Sequence, residues 1–232
     1  LEFRRVLFRS VIGGFGTAST AELSVGALTS TSPTSSWTPK ANLPSNRGGH
    51  AVLVHTDGIV AAGGNATFSS SGLTTAVRYD TAANTWTATG SMSSGRIFAA
   101  VHLPGIPTKS TGYVIGGTSS QTNFVEAYSF TAGTWSVSAA RPTGLSGTGL
   151  SATFLSSTTS AGSDLIVGGT TAYVLKTSTS GVTFEDAKNP IMARTSHGAA
   201  RLDSQTVLVM GGIVGGAATP TVEIWRLGDL PR

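Results

Sequence analysis

The chain has no cysteine. Disulfides, thiolate metal sites and cysteine nucleophiles are therefore excluded. Charge is sparse as well: 11% of the 232 residues are Asp, Glu, Lys or Arg, against about 25% in ordinary globular proteins. With 39% apolar residues, this is the reverse of the balance that keeps a chain disordered. No apolar run approaches the ~20 residues of a membrane-spanning helix. The strand-like runs are also shorter than the ~10-residue alternating strands of a membrane barrel. Helical patterning is missing beyond a single turn. What the chain has in plenty is glycine, 30 residues, well above a usual share of about 7% and without the three-residue period of collagen. The length suffices for one sizeable core.

The first ten residues, LEFRRVLFRS, read as a translated sequencing adapter. No initiator Met is present, and the apolar stretch Val6-Leu7-Phe8 is too short for a signal peptide. Residues 1–10 are accordingly set apart, and an export signal upstream of them is not legible. The segment carries Arg4, Arg5 and Arg9 against Glu2, a net +2, so the formal charge falls from +4 to +2 without it. That leaves no basic stripe for nucleic acid.

Five glycine doublets each follow an apolar run: VIGG ending at Gly14, IVAAGG at Gly64, YVIGG at Gly117, LIVGG at Gly169 and VLVMGG at Gly212, at spacings of 50, 53, 52 and 43. Tyr79 precedes Trp86 by seven residues, and Tyr128 precedes Trp135 by seven, with Trp37 in the corresponding place after Gly14. Arg47-x-x-His50 and Arg194-x-x-His197 open further apolar runs. The second unit shows four runs of strand character, His50–His55, Ile59–Ala62, Thr75–Tyr79 and Thr85–Thr89, with a hairpin turn over Asp80 to Asn84. A four-stranded sheet cannot bury both faces alone, and stacking such sheets around an axis does so.

Double glycine, Tyr-x6-Trp and Arg-x-x-His in this order resemble the kelch repeat, with wording similar to bacterial kelch proteins and the propeller domain of galactose oxidase. The resemblance covers residues 11–229 and implies an all-β, kelch-type β-propeller of four-stranded antiparallel blades. One propeller domain is expected over residues 11–232, with blades near 11–44, 45–93, 94–142, 143–192 and 193–232. The first lacks its inner strand and the last stops after Thr221–Leu227, giving three full and two partial blades. Five-blade closure and an open fragment of a larger ring both stay open. The structural positions of the motif are Gly63, Gly64, Tyr79, Trp86, Gly116, Gly117, Tyr128, Trp135, Gly168, Gly169, Gly211 and Gly212. In the fourth unit Phe184 replaces Trp, and in the last Trp225 takes the Tyr position and is expected to be exposed.

Galactose oxidases bind copper through Tyr and His, with one Tyr joined to a Cys. Without cysteine that cofactor cannot form, and His50, His55, His102 and His197 show no short ligand spacing, so no metal or cofactor is expected. Thr177 to Phe184 resembles a sialidase Asp-box with Thr179 in place of Asp. Asp57, Asp80, Asp164 and Asp203 are expected at turns, as local caps. Arg47, Arg96, Arg141 and Arg194 recur at spacings of 49, 45 and 53. Two roles stand open for them: a cationic channel rim suited to carboxylate or sulfate, or ties to carbonyls between blades. His50 and His197 share these positions, as channel-lining or packing residues.

The reading is thus a non-catalytic binding module presenting propeller loops to a protein or glycan ligand. It is secreted or at the cell surface, without nucleic acid or membrane insertion, and can self-associate through open end blades. The alternative is a galactose-oxidase-like or other sugar-modifying enzyme whose catalytic residues lie elsewhere.

Overall fold

The computed structural model describes residues 9–25, 35–55, 58–67, 71–102, 111–117, 124–140, 142–143, 145, 147–157, 162–178, 181–203 and 206–226. Among them every regular element is a strand. The first sheet holds β1 (Arg9–Gly14), β2 (Thr17–Val25) and β3 (Ser35–Lys40). The second holds β4 (Ala51–His55), β5 (Gly58–Ala62), β6 (Ala76–Asp80) and β7 (Thr85–Ala88). The third holds β8 (Ala100–His102), β9 (Thr111–Ile115), β10 (Phe124–Ser129) and β11 (Thr134–Ala140). The fourth holds β12 (Ser151–Ser157), β13 (Gly162–Gly168), β14 (Thr171–Ser178) and β15 (Gly181–Asp186). The fifth holds β16 (Gly198–Arg201), β17 (Thr206–Met210) and β20 (Val222–Arg226), with the small hairpin β18 (Ile213–Val214) and β19 (Ala217–Ala218) between the last two. All pairings are antiparallel, and all join sequence neighbours except β17 with β20, which pair across the small hairpin between them.

The second, third and fourth sheets bury side chains on both faces because period-two alternation sends successive residues to opposite neighbours. Leu53, Val60 and Ala62 of the second sheet pack on Val114 and Tyr128 of the third. Tyr113, Ile115 and Val125 of the third pack on Ile166 and Leu175 of the fourth. Leu165, Val167 and Val174 of the fourth pack on Val207, Val209 and Trp225 of the fifth. Strands β4, β8, β12 and β16 approach one another in that order, forming the inner layer.

The Tyr–Trp pairs sit across the outer hairpins: Tyr79 opposite Trp86 with ring centroids 4.9 Å apart, and Tyr128 opposite Trp135 at 5.0 Å. Trp86 Nε1 donates to Ala41 O at 2.9 Å, fastening the second sheet to the end of the first. Asp80 accepts from the Ala82 and Ala83 amides at 2.8 and 2.9 Å, the local cap expected of it. Two expectations fail. Trp225 is only 6% exposed, because β20 turns it toward the fourth sheet. Asp164 lies inside β13 and is 3% exposed, because the β12–β13 hairpin runs past it to Gly162. Asp57 and Thr179 lie outside the described residues.

Candidate functional site at the lead-in turns

Four short turns lead into the inner strands: residues 47–50, 96–99, 147–150 and 194–197. The third residue of each is left-handed, with φ of 63° at Gly49, 56° at Phe98, 63° at Gly149 and 53° at Ser196. The turns are linked in two pairs: Phe98 N–H donates to Gly49 O at 2.7 Å, and Ser196 N–H donates to Gly149 O at 2.8 Å. The first residue of each turn offers its carbonyl to the second glycine of the preceding sheet's doublet. Gly14 N–H donates to Arg47 O at 2.7 Å, Gly64 to Arg96 O at 2.7 Å and Gly169 to Arg194 O at 2.9 Å, while Gly117 donates to Gly147 O. This joint explains the doublets. A Cβ on Gly63 would strike Arg96 O, and one on Gly64 would stand 2.6 Å from Gly48 O and 2.8 Å from the His50 Cβ. Both residues also hold positive φ, 71° and 76°, where glycine is unstrained.

The arginine side chains turn inward. Arg47, Arg96 and Arg194 are 3%, 1% and 1% exposed. Arg47 donates to Gly63 O and to Thr75 O at 2.9 Å. Arg96 donates to Gly116 O and pairs with Glu126 at 2.8 Å. Arg194 donates to Gly211 O at 2.9 Å and pairs with Glu223 at 2.6 Å. Each guanidinium therefore clamps the open connection between the second and third strands of its own sheet. In the fourth sheet that connection is a tight turn, with Gly168 paired to Thr171, so there is no opening to clamp. The joint position there is Gly147, not Arg141, which lies outside the described residues. Burial lowers the pKa of Arg47 and Arg96 from the ordinary value, with Glu126 opposing the effect at Arg96.

His50 and His197 begin the runs behind the turns. Burial first, and the neighbouring Arg47 charge second, lower the His50 imidazole to about 4. Burial first and Arg194 second likewise lower His197 to about 4, with Glu223 opposing. His197 Nε2 meets Ser151 Oγ at 2.7 Å, tying the inner strands of the fourth and fifth sheets. The distance is that of a nucleophile and its base. A base near 4 takes up protons too weakly for efficient transfer at neutral pH, and no carboxylate orients its Nδ1 among the described residues. His55 stacks on Phe130 at 4.8 Å, apart from the turns. The described residues bring no three His, Asp or Glu together to hold a metal ion.

Composition and spacing missed two sets of residues. Glu126 and Glu223 receive the clamping arginines and also hold the loops before them: Glu126 accepts from the Ser93 amide, and Glu223 from the Ile191 and Met192 amides at 2.9 and 3.1 Å. Their signal is a Glu standing two residues before the third-strand aromatic, Tyr128 or Trp225. The second set is Phe15 and Phe98, which remain partly exposed at the turns.

No family model and no curated protein matches the chain. Solved structures do match. That of YjhT superimposes with a TM-score of 0.71 over 96% of this chain and 79% of its own, at 11% sequence identity. Likeness at that identity speaks for the fold alone: an all-β, propeller-like arrangement with several four-stranded antiparallel sheets.

Proposed function

We propose that this chain is a non-catalytic binding module of kelch type, working outside the cell or at its surface, whose lead-in turns form the face that holds a protein or carbohydrate ligand. The observation carrying this reading is the pairwise linkage of the turns. Bonds from Phe98 to Gly49 and from Ser196 to Gly149 fix neighbouring loops against one another, and binding sites sit preferentially on loops held by a rigid scaffold. The buried, internally bonded arginines favour a face that recognises its ligand without a cationic rim.

Because the chain lacks cysteine, a single label tests this cleanly. Ser196→Cys and, at the opposite ends of the strands, Ala82→Cys each carry a bimane fluorophore. Titration with oligosaccharide and peptide libraries should shift the label at 196 and leave that at 82 unmoved. A ligand that moves only the label at 82 overturns the reading.

A further inference from the structure

One feature of the turn face is used by neither the joints nor the clamps. Phe15 and Phe98 are 40% and 38% exposed, with ring centroids 6.0 Å apart and planes at 58°. Phe15 follows the first glycine doublet, and Phe98 holds the left-handed position of the third sheet's turn. The equivalent residues are Gly49, Gly149 and Ser196. Glycine serves this backbone without strain, whereas a bulky residue there is an outlier. The turn itself therefore does not call for phenylalanine. The backbone instead makes room for both rings. A Cβ on Gly48 would stand 2.7 Å from Phe15 Cδ1, and one on Gly49 3.0 Å from Phe98 Cε1. Consecutive glycines thus seat the two rings side by side.

We propose that Phe15 and Phe98 form the aromatic floor of a site for a neutral sugar ring, an assignment that rests on the turn face being the binding face. The surrounding segments, residues 13–16, 45–50, 63–67, 71–75 and 92–99, contain two formally charged side chains, Arg47 and Arg96. Both are buried and bonded inward. His50 is neutral near pH 7, its pKa being about 4. Among the described residues the patch offers aromatic faces and no accessible ionic partner, which favours a neutral ligand over a carboxylated or sulfated one. Aromatic faces carry negative quadrupole density that attracts the polarised C–H groups of a pyranose. The Asn65 loop borders the floor: the Asn65 backbone carbonyl accepts from Gly48 N–H at 2.8 Å, and the side-chain amide holds the loop in place, donating to Ser71 O and accepting from Ala66 N–H at 2.7 Å.

The test uses the whole chain with cellohexaose, xylohexaose and mannohexaose as neutral probes and hexagalacturonate as the acidic one. Saturation-transfer NMR should label the ring protons of at least one neutral probe, and calorimetry should find hexagalacturonate no tighter. Phe98→Gly should weaken that binding by roughly tenfold, the scale of one aromatic contact, while its melting temperature stays level or rises because glycine relieves the left-handed strain. Phe15→Ser should weaken binding likewise. Three results overturn the assignment: no neutral probe saturates, hexagalacturonate binds more tightly than all three, or both variants bind as the wild type does. If no sugar binds but a peptide moves the label at 196, the face reading stands and the sugar assignment falls.

Discussion

Val167 and Leu165 of β13 stand one and three residues before a glycine doublet, and Met210 and Leu208 of β17 stand at the same positions before another. Across the sheet, Val167 and Leu165 pair with Ala172 and Val174, and Met210 and Leu208 pair with Val222 and Ile224. The first four residues are at most 3% exposed, whereas Met210, Val222 and Ile224 are 39%, 57% and 64% exposed. The leading face repeats the contrast. Val11, two residues before the first doublet, is 53% exposed, while Ala61, Val114, Ile166 and Val209 at that position are each 0%. The same pattern is thus a joint where a neighbouring sheet covers it and an apolar surface where none does. What a residue contributes is decided by the next sheet, not by its own strand.

The largest expected effect comes from opening a joint at its clamp. Glu126→Ala leaves the Arg96 guanidinium buried without its carboxylate, and urea unfolding should show a loss of about 3–5 kcal/mol. Removing the exposed partner of Lys176 with Glu185→Ala should cost less than about 1 kcal/mol, because that pair is more than one third exposed on both sides.

Paired truncations sharpen the comparison directly. Leu165→Ala in the covered joint should cost about 2–5 kcal/mol, and Ile224→Ala on the uncovered face less than about 1 kcal/mol, in the same denaturation experiment. Equal costs would show that the fifth sheet's outer face is also covered.

Acid should weaken the joints next. The unfolded chain protonates its histidines near 6.5, whereas His50 and His197 in the fold do so only near 4. The unfolded state therefore binds more protons between these values. Stability is retained above about pH 6.5 and lost as pH falls from there toward about 4, on the order of 1–2 kcal/mol per histidine. The double variant His50→Asn, His197→Asn should flatten this segment of the melting temperature against pH.

The smallest change in stability, but a visible change in mass, is expected from Ile224→Glu. Contiguous exposed apolar surface promotes association, so light scattering should show the wild type growing heavier with concentration and the variant remaining at the monomer mass.

The all-β class and the antiparallel sheets were legible because glycine doublets and turn residues punctuate the chain at a nearly constant interval. The four runs foreseen in the second unit lie within a residue or two of β4 to β7. The inward course of the arginines was open in the sequence, because a guanidinium suits a rim and a carbonyl cage equally well. Arg141 was read into the series by spacing, and Gly147 holds that joint because the tight β13–β14 turn needs no clamp. Trp225 was expected in the open because it stands on the last strand-like run, yet its face of β20 meets the fourth sheet. Phe98 carried no visible signal, since its left-handed backbone emerges only when its turn is aligned with those of Gly49, Gly149 and Ser196.

Amide hydrogen exchange at the doublets measures the difference between joint and open face most directly. The Gly64 and Gly169 amides donate to carbonyls of the following turn, and Gly212 has no corresponding bond among the described residues. Gly64 and Gly169 should exchange close to the rate of global unfolding, and Gly212 at least roughly a hundredfold faster. Exchange at Gly212 as slow as at Gly64 would contradict the account, since it would mean that the outer face of the fifth sheet is joined like the others.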